Sequence, residues 1–432
     1  MTTASRTLRA FWADGPRGES GRQLTREGAL DVWAETRGTR GDFFGLTDDL
    51  GRTIQFYFCE SIPDDVDDAG HLAIVDLEQF EPLTFAQGKR LDLPISADSL
   101  SAATARLPDR DGDGIEELVV SAPRVSVCAF GEQCSSGQGT TRAGSVFVVG
   151  SLSGRVLYRL DGHVRGERFG RAVAVVGDQL IVGAPGARTA REDGNRRTGA
   201  FYVYDTSWPT PRLTTTVFGS ERGDKFGSSI SLAGDANADG VPDIFVGASG
   251  ARTHAGARAG RVELRTLEGA VLSHFDGTMR DARLGSRAVV VVTPTTIAIP
   301  SVHAGRGGMV FFFDTQGTPR SRIVGDPGDL LGTSMLGPVD IDGDGQLELA
   351  VGAPGARNGG AVRFYGLGGQ LRGSWQSSSR VASFQRLGER LLLVGDSDGD
   401  NHIEISVGHR DGSLIGEAHN PLTLFCPSHG YR

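Results

Sequence analysis

Apolar residues in this chain come in short runs separated by Gly, Asp, Asn, Ser and Pro. LVVSA (118–122), LIVGA (180–184), IFVGA (244–248) and LAVGA (349–353) each have strand length, and so do the longest stretches, Met309–Phe313 and Leu391–Val394. Short apolar runs bounded by turn residues predict strands. Residues 171–185 (RAVAVVGDQLIVGAP) show the arrangement well. Two apolar runs flank Gly177-Asp178, a pair suited to a tight hairpin because it tolerates positive φ. GAFYVYDT (199–206) and RLTTTVFG (212–219) follow as a second hairpin across Ser207-Trp208-Pro209. Beyond residue 40 no 3.6-residue period persists, which excludes a helical solenoid. No run approaches the ~18 apolar residues of a membrane-spanning helix.

The pattern repeats. Four stretches join an aspartate-rich loop to a strand and a small-residue turn: DRDGDGIEELVVSAP from 109, DANADGVPDIFVGAS from 235, DIDGDGQLELAVGAP from 340 and DSDGDNHIEISVGHR from 396. VVGDQLIVGAP (175–185) and VVVVTPTTIAIPS (289–301) keep the strands without the long loop. A second marker precedes the middle units: Phe169-Gly170, Phe226-Gly227, Leu284-Gly285 and Leu331-Gly332, at spacings of 57, 58 and 47 residues. Six units of roughly 60 residues, each reading as four strands, predict a β-propeller over 86–432.

Residues 1–85 read differently, as a small α+β segment. LTREGALDVWAE (24–35) predicts a short helix with Thr25 as its N-cap and Leu30 and Trp33 on one face. FFGLTDD, RTIQFYFCES and HLAIVDLEQF follow as three strands. The fold expected is therefore all-β: a propeller of six four-stranded blades, or seven, preceded by this segment. KRLDLPIS (89–96) is a candidate strand to complete the last blade and close the ring.

The four loops obey one rule: acid at position 1, acid or Asn at 3, acid at 5 and acid at 9. These are Asp109, Asp111, Asp113 and Glu117 in the first loop, and Asp235, Asn237, Asp239 and Asp243 in the second. The third has Asp340, Asp342, Asp344 and Glu348, and the fourth Asp396, Asp398, Asp400 and Glu404. Position 6 is Gly114, Gly240, Gly345 or Asn401, the residue types that turn most cheaply through positive φ. Position 7 (Ile115, Val241, Gln346, His402) offers a backbone carbonyl. Carboxylates about 4 Å apart repel by ~4 kcal/mol per pair near a protein surface, so a compact loop of this kind calls for a cation. An oxygen-only donor set favours Ca²⁺, with up to four ions, over Mg²⁺ or a soft metal. An EF-hand would need Glu at position 12 and flanking helices; position 12 is Val120, Val246, Val351 or Val407, inside a predicted strand.

Together, the FG markers, the DxDxDGxx[DE] loops and the GAP turns resemble the FG-GAP repeats of the integrin α-subunit propeller and of related bacterial proteins. The resemblance covers about 86–432. It implies a propeller, often of seven blades, with calcium in the hairpin between the first two strands of a blade and partners docking on the opposite face. The acids above then become calcium ligands, with the position-7 carbonyls beside them. It also implies an extracytoplasmic or cell-surface adhesion protein with a protein or glycan ligand. The sequence departs from the pattern in showing six units, in two units without the loop, and in VGH for GAP in the last.

Composition changes this picture little. Gly, at 63 of 432 residues, is about twice as frequent as usual and suits many turns. The net charge of −9 speaks against a nucleic-acid partner, and Lys89 and Lys225 are the only lysines among 44 basic residues. Cys128 and Cys134 bracket a short loop, while Cys59 and Cys426 lie far apart; no C-x-x-C is present. A Cys128–Cys134 disulfide and two thiols are equally consistent with the spacing. The first residues, MTTASRTLRAFWADGPRG, contain no apolar core of a signal peptide, so a cytoplasmic location stays open. Gly395–Gly399 matches G-x-S-x-G, but a strand follows where a nucleophile elbow needs a helix. Two Arg-Gly-Asp triads, Arg40–Asp42 and Arg222–Asp224, read as turns rather than adhesion ligands, and RTAREDGNRR (188–197) as a solvated loop. A non-catalytic binding scaffold is the reading expected. The alternative is a hydrolase or lyase using the propeller's central pocket, with Glu192 and Asp193 as candidate acids and no oligomeric state implied.

Overall fold

The computed structural model describes residues 103–127, 140–376 (apart from 152, 192–193, 341–344 and 358) and 386–395. It also describes the strands Arg9–Ala13, Phe43–Thr47, Thr53–Phe58, Ala69–Ile74, Lys89–Ser96, Glu404–His409, Gly412–Gly416 and Pro421–Leu424. Every element among them is a strand. The expected helix at 24–35 lies outside the described residues.

Six four-stranded antiparallel sheets follow one another along the chain, each in simple 1-2-3-4 order, and these are the blades. Blade 1 is Thr104–Leu107, Glu117–Ala122, Ser145–Val149 and Val156–Asp161. Blade 2 is Ala172–Val176, Gln179–Ala184, Ala200–Asp205 and Arg212–Phe218. Blade 3 is Phe226–Gly234, Asp243–Ala248, Arg261–Arg265 and Val271–Asp276. Blade 4 is Val290–Thr293, Thr296–Ser301, Met309–Asp314 and Pro319–Val324. Blade 5 is Met335–Val339, Glu348–Ala353, Ala361–Gly366 and Leu371–Gln376. Blade 6 is Arg390–Gly395, Glu404–His409, Gly412–Gly416 and Pro421–Leu424.

The strand Lys89–Ser96 corrects one expectation. It pairs with Ala69–Ile74 in a two-stranded sheet, and the last blade is built from four strands of its own. The strands Arg9–Ala13, Phe43–Thr47 and Thr53–Phe58 form a separate three-stranded sheet. The chain divides into two compact units. Pro94–Gly150 with Arg155–Gly332 holds blades 1 to 4; Met1–Leu93, Ser151–Gly154 and Thr333–Arg432 hold blades 5 and 6 and most of the N-terminal strands.

Burial follows strand position. The second strands of blades 1, 3 and 5 are buried at every residue, whereas the fourth strands Arg212–Phe218 and Pro319–Val324 are largely exposed. The unbroken apolar runs are thus inner strands packed on both faces. The cores lie between consecutive blades. Phe201 and Ile181 of blade 2 cluster with Phe226 and Val246 of blade 3, and Phe245 and Phe275 of blade 3 with Phe311 and Phe313 of blade 4. Phe201 and Phe226 meet at 5.8 Å and Phe275 and Phe313 at 5.7 Å, spacings at which aromatic pairs attract beyond simple burial.

The two-residue markers sit at the handover between repeats. Gly199, at the start of the third strand of blade 2, makes a parallel bridge to Phe226; the same bridge joins Gly260 to Leu284, Gly308 to Leu331 and Gly360 to Leu387. The glycine of the small-residue turn packs on the glycine of the following marker. At Gly247 a Cβ would lie 2.0 Å from the Gly285 carbonyl oxygen, and at Gly352 a Cβ would lie 2.0 Å from that of Gly388. Ser229 Oγ donates to the Gly285 carbonyl at 2.9 Å and Ser334 Oγ to that of Gly388 at 2.8 Å. Leu387-Gly388 is therefore a fifth marker, which the sequence analysis passed over.

Candidate metal centre

In all four aspartate loops the position-9 acid is the first residue of the second strand: Glu117, Asp243, Glu348 and Glu404. Glu117, Asp243 and Glu348 are no more than 2% exposed, so the loop is built over a buried carboxylate. Glu117 Oε1 accepts the amides of Arg110 at 2.7 Å and Asp111 at 3.1 Å, and Asp243 Oδ2 accepts that of Ala236 at 2.9 Å. The position-1 carboxylate holds the far side of the turn. Gly114 N donates to Asp109 Oδ2 at 2.8 Å, Gly240 N to Asp235 Oδ2 at 2.9 Å, and Gly345 N to Asp340 Oδ2 at 2.9 Å. Asp113 and Asp239 accept the amides of Ile115 and Val241, at 2.9 and 2.8 Å. Position 6 requires glycine's freedom: φ is +86° at Gly114 and Gly240 and +82° at Gly345.

These backbone donors carry part of the load that the sequence analysis gave to an ion alone. The amides of Gly112 and Gly114 hold the Asp109 carboxyl below the usual carboxylate range. Burial, with the charges of Asp111 and Asp109 adding to it, pushes Asp113 up. Burial likewise raises Asp243, helped by Asp239 and Asp235. The carboxylates are pre-shaped yet still repel. Oxygens of Asp109, Asp111 and Glu117 lie within 4.8 Å of one another, the one such group among the described residues. An all-oxygen donor set of this kind fits a hard divalent cation.

The remaining expected residues are placed as follows. In the second loop Asn237 Nδ2 donates to Asp239 Oδ2 at 2.7 Å. In the third, Arg372 Nη2 donates to Gln346 Oε1, and Asp342 and Asp344 lie outside the described residues. So do Asp396, Asp398, Asp400 and His402 of the fourth, with Ser397 of the G-x-S-x-G match. Blades 2 and 4 turn the same hairpin in two residues, pairing Val176 with Gln179 and Thr293 with Thr296. Asp178 in the first of these turns accepts a hydrogen bond from Arg110 of the first aspartate loop.

In the Arg222–Asp224 triad the carboxylate is buried and turns inward, accepting the amide of Glu221 at 2.8 Å. Glu167 and Asp329, also two residues before a marker, are buried and cap their turns in the same way, from Val164 N and Asp326 N at 2.9 Å each. That role explains the aspartate without an adhesion motif. Residues 188–197 are not a plain loop: Arg188–Arg191 pairs with Gly194–Arg197 in a two-stranded hairpin. Arg40–Asp42, the four cysteines, Glu192 and Asp193 lie outside the described residues.

The FG-GAP repeat model matches residues 226–262 and 332–365, and a second FG-GAP repeat model matches 161–204. The chain carries FG-GAP repeats. Over 146 residues it is 32% identical to integrin alpha-5 of Xenopus laevis, covering 32% of this chain and 12% of that one. Integrin alpha-D of Homo sapiens is 32% identical over 162 residues, 33% of this chain and 12% of its own length. Integrin alpha pat-2 of Caenorhabditis briggsae is 27% identical over 275 residues, 59% of this chain and 18% of its own. The match thus spans a small part of these integrins. The matches at 161–204 and 226–262 join a Phe-Gly marker to the strands that follow it, the match at 332–365 begins at the glycine of the Leu-Gly marker, and the match at 226–262 contains the whole second aspartate loop. No helix among the described residues is long and apolar enough to cross a membrane.

Proposed function

We propose that this FG-GAP protein is a calcium-braced, non-catalytic binding scaffold that serves adhesion at a cell surface or outside the cytoplasm. The observation that carries the reading is the recurrence of one geometry, a position-1 carboxylate gripping the position-6 amide over a buried position-9 acid, in three loops at the same sheet end. In each loop the side chains at positions 1, 3, 5 and 9 and the position-7 carbonyl would hold the ion, whose charge offsets the repulsion of the acids. In a 1-2-3-4 antiparallel sheet the first-to-second-strand loop and the second-to-third connection lie at opposite ends, so the repeat junctions face away from the ions. That second end is the surface for a protein or glycan ligand. A large cavity there has no Asp, Glu or His among its described lining residues, which favours binding over hydrolysis or elimination.

Equilibrium dialysis at millimolar calcium, paired with thermal unfolding with and without EDTA, tests the reading. Bound calcium and a midpoint lowered by several degrees in EDTA are expected, because an ion bound only by the folded state stabilises it. Folded protein that binds no calcium overturns the brace. Turnover abolished by replacing acids outside the aspartate loops overturns the non-catalytic role.

A further inference from the structure

The junction end of blades 1 to 4 is strongly basic, although the chain is acidic overall. A cavity of about 1130 Å³ opens there, lined by the second-to-third-strand connections of blades 1 and 2 and by the turns that carry the markers. The repeat itself delivers its cations. The residue just before the first three markers is Arg168, Lys225 or Arg283, each in the left-handed conformation with φ between 54° and 59°. Two residues before the glycine that opens the third strand of blades 1 to 4 stands another: Arg142, Arg197, Arg258 and Arg306. The backbone ties the two series together, Arg168 N to Arg142 O at 3.2 Å and Arg283 N to Arg258 O at 2.9 Å. Arg168, Lys225, Arg142 and Arg197 line the cavity, and Arg165, Arg171, Arg188 and Arg222 add to it.

Among the described residues the charges that line the cavity are not neutralised by ion pairs: none involves any of the eight lining cations. Three acids near it are engaged elsewhere: Glu167 and Asp224 cap their own turns, and Asp281 pairs with Arg258 at 2.6 Å. The Nε of Arg188 is buried without a hydrogen-bond partner among the described residues. Burial, then the charges of Arg287, Arg168 and Arg124, weakens proton binding by Arg171. Burial, then Arg283, Arg168 and Arg258, does the same to Lys225. The cations therefore repel one another across the cavity.

We propose that this cavity binds a compact polyanion carrying several phosphate or sulfate groups. Guanidinium forks match such oxyanions in two-point contact, and Ser286 adds a hydroxyl at the wall, while the Ser228 hydroxyl donates to the Lys225 carbonyl and is bonded to that of Ser249. The volume is that of a small-molecule pocket rather than a single-ion site. No aromatic side chain is among its described lining residues to stack a nucleobase, which separates it from single-stranded nucleic-acid grooves. The proposal rests on the scaffold reading above and names the ligand chemistry of its free end.

The test is calorimetric titration of the full calcium-loaded chain with sucrose octasulfate and with fructose 1,6-bisphosphate, sucrose serving as the uncharged control. At least one anion binds, sucrose does not, and the affinity falls steeply with added salt. The stronger of the two tells sulfate from phosphate ligands. Arg197→Gln with Lys225→Gln weakens binding about tenfold or more. Arg222→Gln, at an exposed rim position, gives a smaller loss with little bearing on folding. Folded protein that binds neither anion, or binding that all three substitutions leave unchanged, overturns the proposal while calcium binding and the scaffold stand. Binding accompanied by release of phosphate or sulfate upholds the site and overturns the non-catalytic reading.

Discussion

The two ends of the same sheets are built on different terms. At the junction end the sequential repeats 2 to 4 show one solution: a buried acid or alanine, a left-handed residue, then Phe-Gly or Leu-Gly against the next turn. At the other end blades 1, 3 and 5 carry long aspartate loops, while blades 2 and 4 turn in two residues and keep the same four strands. Strand pairing therefore does not require the loop. The junction is needed by the fold, and the loop is a site added to it.

That contrast breaks most visibly at the junction. Gly247→Val would drive a side chain into the Gly285 carbonyl and Ser229, backbone and buried hydroxyl that have nowhere to go. Overpacking of this kind costs about 3 kcal/mol or more, seen as a large fall in the urea midpoint or as failure to fold. Phe226→Ala, which empties the core between blades 2 and 3, should cost ~3–5 kcal/mol. Gly240→Ala is the matched change at the loop end, where the added atom meets open space and the penalty is the positive φ alone, about 1 kcal/mol. Equal losses at the two ends would erase the distinction.

Replacing residues 235–242 by Gly-Asp, the turn of blade 2, gives a sharper and smaller effect. Bound calcium should fall by one equivalent in equilibrium dialysis. The thermal midpoint should drop in calcium but hold or rise in EDTA, since the excised acids then only repel. A comparable drop under both conditions would make the loop part of the blade's framework.

Much of this was legible in the chain because each feature recurs. The strands of blade 2 lie where the apolar runs put them, and the position-9 acids fall at the strand starts, since short runs and Asp-Gly turns act through local conformational preference. Leu387-Gly388 was missed because Leu-Gly is common and only the bridge from Gly360 identifies it. The pairing of Lys89–Ser96 was missed because a lone strand carries no record of its partner. The basic cavity was hidden for another reason. Its cations are spread from Arg142 to Lys225, so net charge averages them against acids that sit at the opposite end.

The smallest expected effect separates the acids of the two ends by their response to pH. Asp224 caps a junction turn and is buried, and burial raises its carboxyl above the ordinary value. The folded state then holds the proton more tightly than the unfolded chain. Stability is therefore highest where the group is protonated and is lost as pH rises through the raised value. Asp224→Asn keeps an oxygen for the Glu221 amide and removes the charge. Its thermal midpoint should lie slightly above that of the parent at pH 7, with the gap closing toward the ordinary carboxylate value of about 4. Calcium should leave that gap unchanged, because the junction turn is remote from the ions. A gap that widens or closes with calcium would tie the two ends together and contradict the independence argued from blades 2 and 4.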